Sequence, residues 1–248
     1  MERWACKTAV VTGASSGIGA AICVSLANAG LNVLGLARRT ELIDKLKAEV
    51  KGKGSIHSHK CDVAKLADIE AAFKWAEENL DGVHVMVNNA GVMTPGNITE
   101  LGGPAVSDET IITTVNVNLT GLVLCTRRAI NLMKKYQVDG HIINVDSLAG
   151  HYIPFVPGFN IYPGTKYGVR AFSGTLVNEL AQLKSKIKVT NLSPGLVRTE
   201  MAVEATKAVD FMPLEPQDIA DAVLYAVATP PNVNITELTI QPVNEKRL

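Results

Sequence analysis

A tyrosine and a lysine stand four residues apart in the segment Tyr-Pro-Gly-Thr-Lys, as Tyr162 and Lys166. Residues at this spacing share one face of a helix, so a helix that begins here brings the phenol and the ammonium together. The ammonium favours the phenolate form, and such a tyrosine can exchange a proton with a substrate hydroxyl or carbonyl. Because this spacing is also common on surface helices, it predicts acid–base chemistry only beside a second site.

A glycine-rich turn supplies that second site. The sequence Thr-Gly-Ala-Ser-Ser-Gly-Ile-Gly follows a short apolar run and occupies residues 12–19. Glycines let the backbone approach a pyrophosphate, and the N–H groups of the following helix point at the anion. The spacing is neither Gly-x-Gly-x-x-Gly nor that of a P-loop, so a plain strand-to-helix turn is the alternative. We favour dinucleotide binding, with predicted contacts at Gly13, Ser15, Ser16, Gly17, Ile18 and Gly19.

The end of the second predicted strand indicates which dinucleotide. An NAD site needs a carboxylate there for the ribose 2′-hydroxyl, but this chain has Arg38, Arg39 and Thr40 before its first acid, Glu41. Guanidinium groups pair well with a phosphate. The alternative is a solvated basic pair at a helix start. The two arginines therefore predict NADP rather than NAD.

The elements that must position these residues alternate along the chain. The patterns predict helices at 18–29, 41–50, 65–79, 107–136 and 162–184, and one that opens at Pro216. They predict strands at 7–12, 31–36, 55–61, 83–87, 141–145, 188–192 and 235–240. Residues 155–160 and 199–214 are predicted to be loops over the active face. We therefore expect one α/β domain over 1–248, a Rossmann-type doubly wound parallel sheet of about seven strands with helices on both faces.

Composition excludes several classes of function. In 248 residues, 47% are hydrophobic and 19% charged, which supports a large core. The 24 basic residues balance the 24 acidic ones, which argues against nucleic acid as a partner.

No apolar run reaches the roughly 18 residues of a membrane span. The N-terminus lacks a signal peptide, so we expect a cytoplasmic protein. The four cysteines are scattered, and His57 and His59 lack ligand partners, so we expect surface histidines and no metal.

Four motifs in order resemble the short-chain dehydrogenase/reductase superfamily. They are the glycine turn, Asn-Asn-Ala-Gly at 88–91, the Tyr162–Lys166 segment and Ser-Pro-Gly at 193–195. The resemblance covers nearly the whole chain. The opening Met-Glu-Arg-Trp, His-Ile-Ile-Asn at 141–144 and Ser-Pro-Gly-Leu-Val-Arg-Thr-Glu at 193–200 are similar to insect NADP-dependent farnesol dehydrogenases and their vertebrate relatives.

The resemblance implies four catalytic residues. Ser147 would polarise the substrate oxygen, and Tyr162 would act as general acid/base. Lys166 would favour the phenolate and hold the nicotinamide ribose, and Asn118 would support a proton-relay water. As alternatives, Ser147 is a loop hydroxyl and Asn118 is a core residue that kinks a helix.

The resemblance also implies further cofactor contacts. Asp62 would contact the adenine with Val63 beside it, although a helix cap is the alternative for Asp62. The segment 89–91 would flank the adenosine ribose, and a later loop would hold the carboxamide of the nicotinamide. These contacts are Asn89, Ala90, Gly91, Pro194, Gly195, Val197 and Thr199.

Three positions depart from the family pattern. Asp146 stands before the serine, where Ser or Asn is usual, and would perturb the tyrosine or bind the backbone. Gly164 and Gly168 stand where alanine-like residues are frequent. An interior helix glycine costs about 1 kcal/mol relative to alanine, and the sequence gives no reason for that cost.

The expected reaction is hydride transfer between nicotinamide and a substrate carbon, with the tyrosine moving the proton. Apolar residues after the serine and on nearby loops suit a lipophilic alcohol or carbonyl, although packing is an alternative. They are Met93, Ile153, Phe155, Val156, Phe159 and Met201.

A farnesol-like alcohol is the favoured substrate, on the resemblance alone. The alternatives are reduction of steroid, ecdysteroid or xenobiotic carbonyls and, disfavoured by the complete catalytic set, a non-catalytic cofactor-binding protein. The resemblance also implies a homodimer or homotetramer formed through the helices at 107–136 and 162–184.

Overall fold

Seven parallel strands form one sheet in the computed structural model, which describes residues 1–154 and 157–246. Their order is β3-β2-β1-β4-β5-β6-β7, and every neighbouring pair is parallel. The strands are β1 (Thr8–Thr12), β2 (Asn32–Ala37), β3 (Ser55–Lys60), β4 (Val85–Asn88), β5 (His141–Val145), β6 (Lys188–Pro194) and β7 (Glu237–Ile240). The strand order reverses between β1 and β4, and a crevice forms there beyond the carboxyl ends of the strands.

Helices cover both faces of the sheet, and the predicted fold class is confirmed. They are α1 (Gly17–Asn28), α2 (Thr40–Leu46), α3 (Leu66–Asn79), α4 (Asp108–Val115), α5 (Leu122–Lys135), α6 (Tyr162–Gln182), α7 (Val203–Ala208) and α8 (Pro216–Ala228). One apolar core joins α1, α2 and α8 to the sheet, and a second joins α3, α5 and α6 to the opposite face. Val11 of β1 enters the first core and Val10 the second, because successive strand side chains point to opposite faces.

The long helix predicted at 107–136 is interrupted. Ser107 caps α4, its hydroxyl accepting from the Thr110 N–H at 3.2 Å, but Asn116–Gly121 is a π-helix that leads into α5. A π-turn contains one more residue than an α-turn and changes the direction of the side chains that follow. Asn118, which is 1% exposed, bonds the Val92 backbone from this segment. A contact distant in sequence therefore accompanies the interruption.

The loop predicted at 199–214 is also wrong in part. Its first half contains a 3₁₀ turn at Glu200–Ala202 followed by α7. The segment is too short for its periodicity to distinguish a helix from a loop. The other predicted loop includes Phe155 and Val156, which lie outside the described residues. The predicted surface residues His57 and His59 are half-buried, with ring centroids 5.8 and 6.0 Å from Trp75.

The described part of the chain contains neither a membrane-spanning helix nor a cluster of metal-ligating side chains. Within residues 1–154 and 157–246, no helix is both long and apolar enough to cross a bilayer. Over the same ranges, no group of three or more His, Cys, Asp or Glu side chains is arranged to hold a metal ion.

Candidate active site

A cavity of about 660 Å³ opens at the carboxyl ends of β1, β2, β4 and β5. Residues from three of the four motifs line it, as do the arginine pair and the end of β3. The predicted residues in its wall are Gly13, Ser15, Ser16, Gly17, Ile18, Arg38, Arg39, Asp62, Val63, Asn89, Ala90, Gly91, Tyr162, Lys166 and Thr199. The predicted residues outside that wall are Gly19, Asn118, Ser147, Pro194, Gly195 and Val197.

The glycine turn lies tightly against the loop after β4. Gly13 has a φ of 66°, and a Cβ there would lie 2.9 Å from the Cα of Ala90, so a larger residue would be both strained and crowded. The Thr12 hydroxyl accepts from the backbone N–H groups of Asn89 and Ala90 at 3.0 Å each. Helix α1 then begins at Gly17 with no acidic residue in its first turn. These features leave a helix N-terminus beside the cavity, which suits an anion.

The part of the cavity beyond β2 and β3 carries the arginine pair and Asp62. Arg38 and Arg39 follow β2, and the guanidinium of Arg39 lies 3.4 Å from the Glu200 carboxylate across the opening. Asp62 accepts from the Ala64 N–H at 3.1 Å and so closes a turn. Since α3 begins at Leu66 with Lys65 at its N-cap position, Asp62 is not the cap of that helix.

Tyr162 and Lys166 occupy the first turns of α6, as predicted from their spacing. The Lys166 ammonium lies 5.7 Å from the centre of the Tyr162 ring. Lys166 is 6% exposed, and its Nζ donates to the Val145 carbonyl at 3.0 Å. The last residue of β5 therefore anchors the ammonium, immediately before Asp146 and Ser147.

Ser147 is half-buried and starts a 3₁₀ turn, Leu148–Gly150. Its Oγ accepts from the Ala149 N–H at 3.1 Å. This bond uses the oxygen as an acceptor, so the hydroxyl hydrogen can still be donated to a substrate oxygen. The capping role and the predicted catalytic role of Ser147 are therefore compatible.

Asn118 joins three segments behind Tyr162. Its Oδ1 accepts from the Val92 N–H at 2.8 Å, and its Nδ2 donates to the Val92 carbonyl at 2.9 Å. The same Nδ2 donates to the Thr165 hydroxyl at 3.2 Å, between Tyr162 and Lys166 on α6. The alternative considered from the sequence, a core residue at a helix kink, describes this side chain. The arrangement connects α6 to the loop after β4.

One of the two unexplained glycines has a steric reason. A Cβ on Gly168 would lie 2.9 Å from the Leu119 side chain, so glycine lets α6 lie close to the π-helix. A Cβ on Gly164 would meet the nearest atom, on Ile161, at an ordinary 3.5 Å. Nothing in the structure explains glycine at position 164.

The loop after β6 holds the remaining predicted cofactor residues. Pro194 ends β6, and Val197, which is buried, pairs with Leu214 through a β-bridge. The Glu245 carboxylate accepts from the Leu196 N–H at 3.2 and 3.1 Å and lies so close to Gly195 that no Cβ would fit there. Sequence reasoning missed Glu245, because no local pattern connects it to this loop.

Sequence reasoning also missed one helical wall of the cavity. The missed residues recur at i, i+3, i+4, i+7 and i+8, which is one helical face and a signal that could have found them. They are Glu109, Ile112, Thr113, Asn116 and Val117. The exposed apolar Met201, which was expected on the substrate side, also lines the cavity.

The fold and site now define the class of protein. The short chain dehydrogenase family model matches residues 7–210, and the chain belongs to that family, as its motifs predicted. The chain is 48% identical to a farnesol dehydrogenase of Aedes aegypti over 248 residues, covering 99% of this chain and 100% of the relative. It is 37% identical to dehydrogenase/reductase SDR family member 11 of Bos taurus over 258 residues, covering 99% of each.

A solved structure supports the same assignment. The closed form of a serine dehydrogenase complexed with NADP+ superposes with a TM-score of 0.85 at 31% identity, covering 96% of each chain. The chain is therefore an oxidoreductase of this family, as predicted.

Proposed function

We propose that this protein is an NADP-dependent dehydrogenase that interconverts a farnesol-like apolar alcohol and its carbonyl form. One observation carries the proposal: Tyr162 and Lys166 stand together in one wall of a cavity whose other end is bordered by Arg38 and Arg39. The name of the Aedes aegypti relative supports the substrate class. The proposed enzyme is a single domain over residues 1–248 that works in the cytoplasm as a homodimer or homotetramer.

The residues of the cavity fit NADP. The open N-terminus of α1 and the crowded Gly13 turn suit a pyrophosphate, and the arginine pair suits a 2′-phosphate. The serine dehydrogenase structure that resembles this chain contains NADP+, which supports the same choice. When bound, NADP would supply or accept the hydride.

The chain's own residues would then handle the oxygen and its proton. We assign Tyr162 the transfer of the proton to or from the substrate oxygen. Lys166, anchored by the Val145 carbonyl, would stabilise the phenolate and still have N–H groups for a ribose. Ser147 would donate a hydrogen bond to the substrate oxygen. Asn118 would hold the turn that positions the proton relay, through Val92 and Thr165.

Apolar side chains near the opening support an apolar substrate. Ile112 and Met201 line the cavity and are 53% and 49% exposed, whereas Ile153, which is 62% exposed, follows the serine turn outside the cavity wall. Exposed apolar groups beside a cavity suit a hydrocarbon chain better than a sugar or a phosphorylated substrate.

The test is oxidation of farnesol by the purified protein, followed through nicotinamide absorbance with NADP and NAD in parallel. We expect Tyr162→Phe to lower turnover at least ~10³-fold, since general acid–base catalysis contributes about 10²–10⁴-fold, while NADPH binding is retained. Tyr167→Phe is the matched control, because Tyr167 is the exposed tyrosine one turn further along α6. Retained turnover in Tyr162→Phe would contradict the assignment. If the wild type oxidises no farnesol, turnover of steroid or xenobiotic carbonyls would favour the reductase alternative.

A further inference from the structure

Asp146 is a buried carboxylate that the proposed chemistry does not use. It directly precedes Ser147 and is 4% exposed. Its Oδ2 accepts from the Asn191 amide at 3.1 Å, and its Oδ1 has no hydrogen-bond partner among the described residues. A Cβ on Gly150 would lie 2.6 and 2.9 Å from the two oxygens, so this carboxylate is pressed against the backbone of the serine turn. A carboxylate oxygen without a hydrogen-bond partner normally contacts water or a bound cation.

The charged groups around Asp146 come from three elements. Helix α6 supplies Lys166 and Arg170, which both favour the ionised carboxylate. The serine turn supplies His151, which is connected to Asp146 through Asn191 and Ser193; the two bonds to the Ser193 hydroxyl are 3.2 and 2.8 Å. The surface side of the cluster is held by β7, whose Glu237 lies within hydrogen-bond distance of Arg170 and His151.

The two cations near Asp146, Arg170 and Lys166, differ in whether another carboxylate pairs with them. Glu237 accepts from Arg170 at 2.9 Å and lies 3.2 Å from the His151 ring. Arg170 is therefore paired with Glu237, and its effect on the Asp146 carboxylate is smaller than that of Lys166. Lys166 donates to the neutral carbonyl of Val145, one residue before Asp146, and is the main positive charge that acts on Asp146.

Burial raises the pKa of Asp146 to about 6. The attraction of Lys166, the Asn191 bond, the nearby backbone N–H of Ser147 and the attraction of Arg170 reduce that rise. The carboxylate is therefore ionised above neutrality and becomes protonated in mild acid. At a buried site a unit charge acts on its neighbours much more strongly than in water. A negative charge here attracts the ammonium of Lys166 and opposes the phenolate form of Tyr162, which stands beside that ammonium.

We propose that Asp146 is a positioning residue whose buried charge acts on the Lys166 ammonium and sets the pH range over which the Tyr162–Lys166 pair can accept a proton. The inference rests on the proposed roles of Tyr162 and Lys166. A purely structural role would require only an acceptor for Asn191, which asparagine also offers. Asp146→Asn therefore keeps the shape that a structural role needs and removes the charge that the proposed role needs.

The first test is the pH profile of farnesol oxidation at saturating NADP for the wild type and Asp146→Asn. Removing the negative charge favours the phenolate, so we expect the midpoint of the rise in kcat/KM to move to lower pH by on the order of one unit. Ser173→Ala is the matched control, because Ser173 donates to Asn191 at 3.2 Å in the same buried network but carries no charge. We expect its midpoint to stay in place. An unmoved midpoint in Asp146→Asn, or an equal shift in the control, would overturn the proposal.

A second test does not depend on turnover. Carbon NMR of protein with labelled aspartate carboxyls should show one group that titrates near pH 6 and is absent from Asp146→Asn. In Lys166→Met we expect this titration to move to higher pH, because the stabilising ammonium is gone. A carboxyl that titrates at the same pH in both proteins would overturn the proposal. If the carboxyl responds to Lys166→Met but farnesol is not oxidised, the proposed substrate fails and the coupling stands.

Discussion

Two buried lysines at opposite ends of the sheet have different surroundings. Lys166, beyond the carboxyl end of β5, is 6% exposed, and Lys188, at the amino end of β6, is 5% exposed. The Lys188 ammonium donates to the Thr229 carbonyl, the Thr229 hydroxyl and the Val233 carbonyl at 3.2, 2.6 and 3.1 Å. Within residues 1–154 and 157–246, Lys166 has one such bond, to Val145. An ammonium has three N–H donors, so Lys188 is fully used in holding a loop, whereas Lys166 has donors to spare for the cavity.

The titrating groups near the two lysines differ in the same way. The amino end of the sheet borders a cavity of about 510 Å³ lined by Arg3, Lys7 and Lys188. Burial lowers the pKa of Lys188 to about 8, with Arg3 adding to the effect. Burial also lowers the pKa of His84 and His141, to about 4 and about 3. That end limits its buried charge by keeping histidines neutral, while the carboxyl end retains a carboxylate beside an ammonium. Burial is therefore common to both lysines, and unused hydrogen-bonding capacity distinguishes the lysine that we propose as catalytic.

The sharpest test of this contrast is the pair Lys166→Met and Lys188→Met. We expect Lys166→Met to lower turnover by about 10²-fold or more and to cost less unfolding free energy than Lys188→Met. Lys188→Met leaves three acceptors without their donor and should cost about 3 kcal/mol of unfolding free energy, with turnover per folded molecule preserved. Urea unfolding and steady-state kinetics on both variants measure the two effects. Equal losses of activity in both variants would remove the distinction.

A smaller effect is expected at the arginine pair. Charge-assisted hydrogen bonds contribute about 1.5–3 kcal/mol, so Arg38→Asp should reduce the preference for NADP over NAD by roughly 10- to 100-fold. Arg39→Asp should reduce it less, because Arg39 is already paired with Glu200 at 3.4 Å. Dissociation constants for both cofactors check this order. Comparable affinities of the wild type for NADP and NAD would refute the 2′-phosphate assignment.

The smallest expected effect is on the pH dependence of folding stability, to which Asp146 and His141 contribute with opposite signs. Asp146 has a raised pKa in the folded state, so its folded form binds the extra proton, and stability falls as pH rises from about 4 through about 6. His141 has a lowered folded pKa, so stability is instead lost as pH falls below about 6.5.

The matching variants follow from these signs. Asp146→Asn should gain up to about 2 kcal/mol at pH 8 and little at pH 4. His141→Gln should weaken the loss of stability on acidification. Urea unfolding across this pH range measures both slopes, and a pH-independent change in Asp146→Asn would contradict the first expectation.

Much of the fold could be predicted from local patterns, because each depends on residues close in sequence. The strand at His141–Val145 and the start of α6 at Tyr162 occur where the pattern placed them. The π-helix at Asn116–Gly121 could not be predicted this way, since it accompanies a bond between Asn118 and Val92, 26 residues apart. Glu245 was missed for the same reason, as it reaches Leu196 from 49 positions away.

The sequence by itself determined the alternation of strands and helices, the order of the motifs and the pairing of Tyr162 with Lys166 on one helical face. Periodicity and spacing express these features directly, because helix and strand geometry repeat over a few residues. The tertiary structure decided which buried charged groups have hydrogen-bond partners. Asp146 meets Asn191 across 45 residues, and Lys188 meets Thr229 across 41. Desolvation and hydrogen bonding depend on the atoms that surround a group after folding, so the difference between the two lysines exists only in the folded molecule.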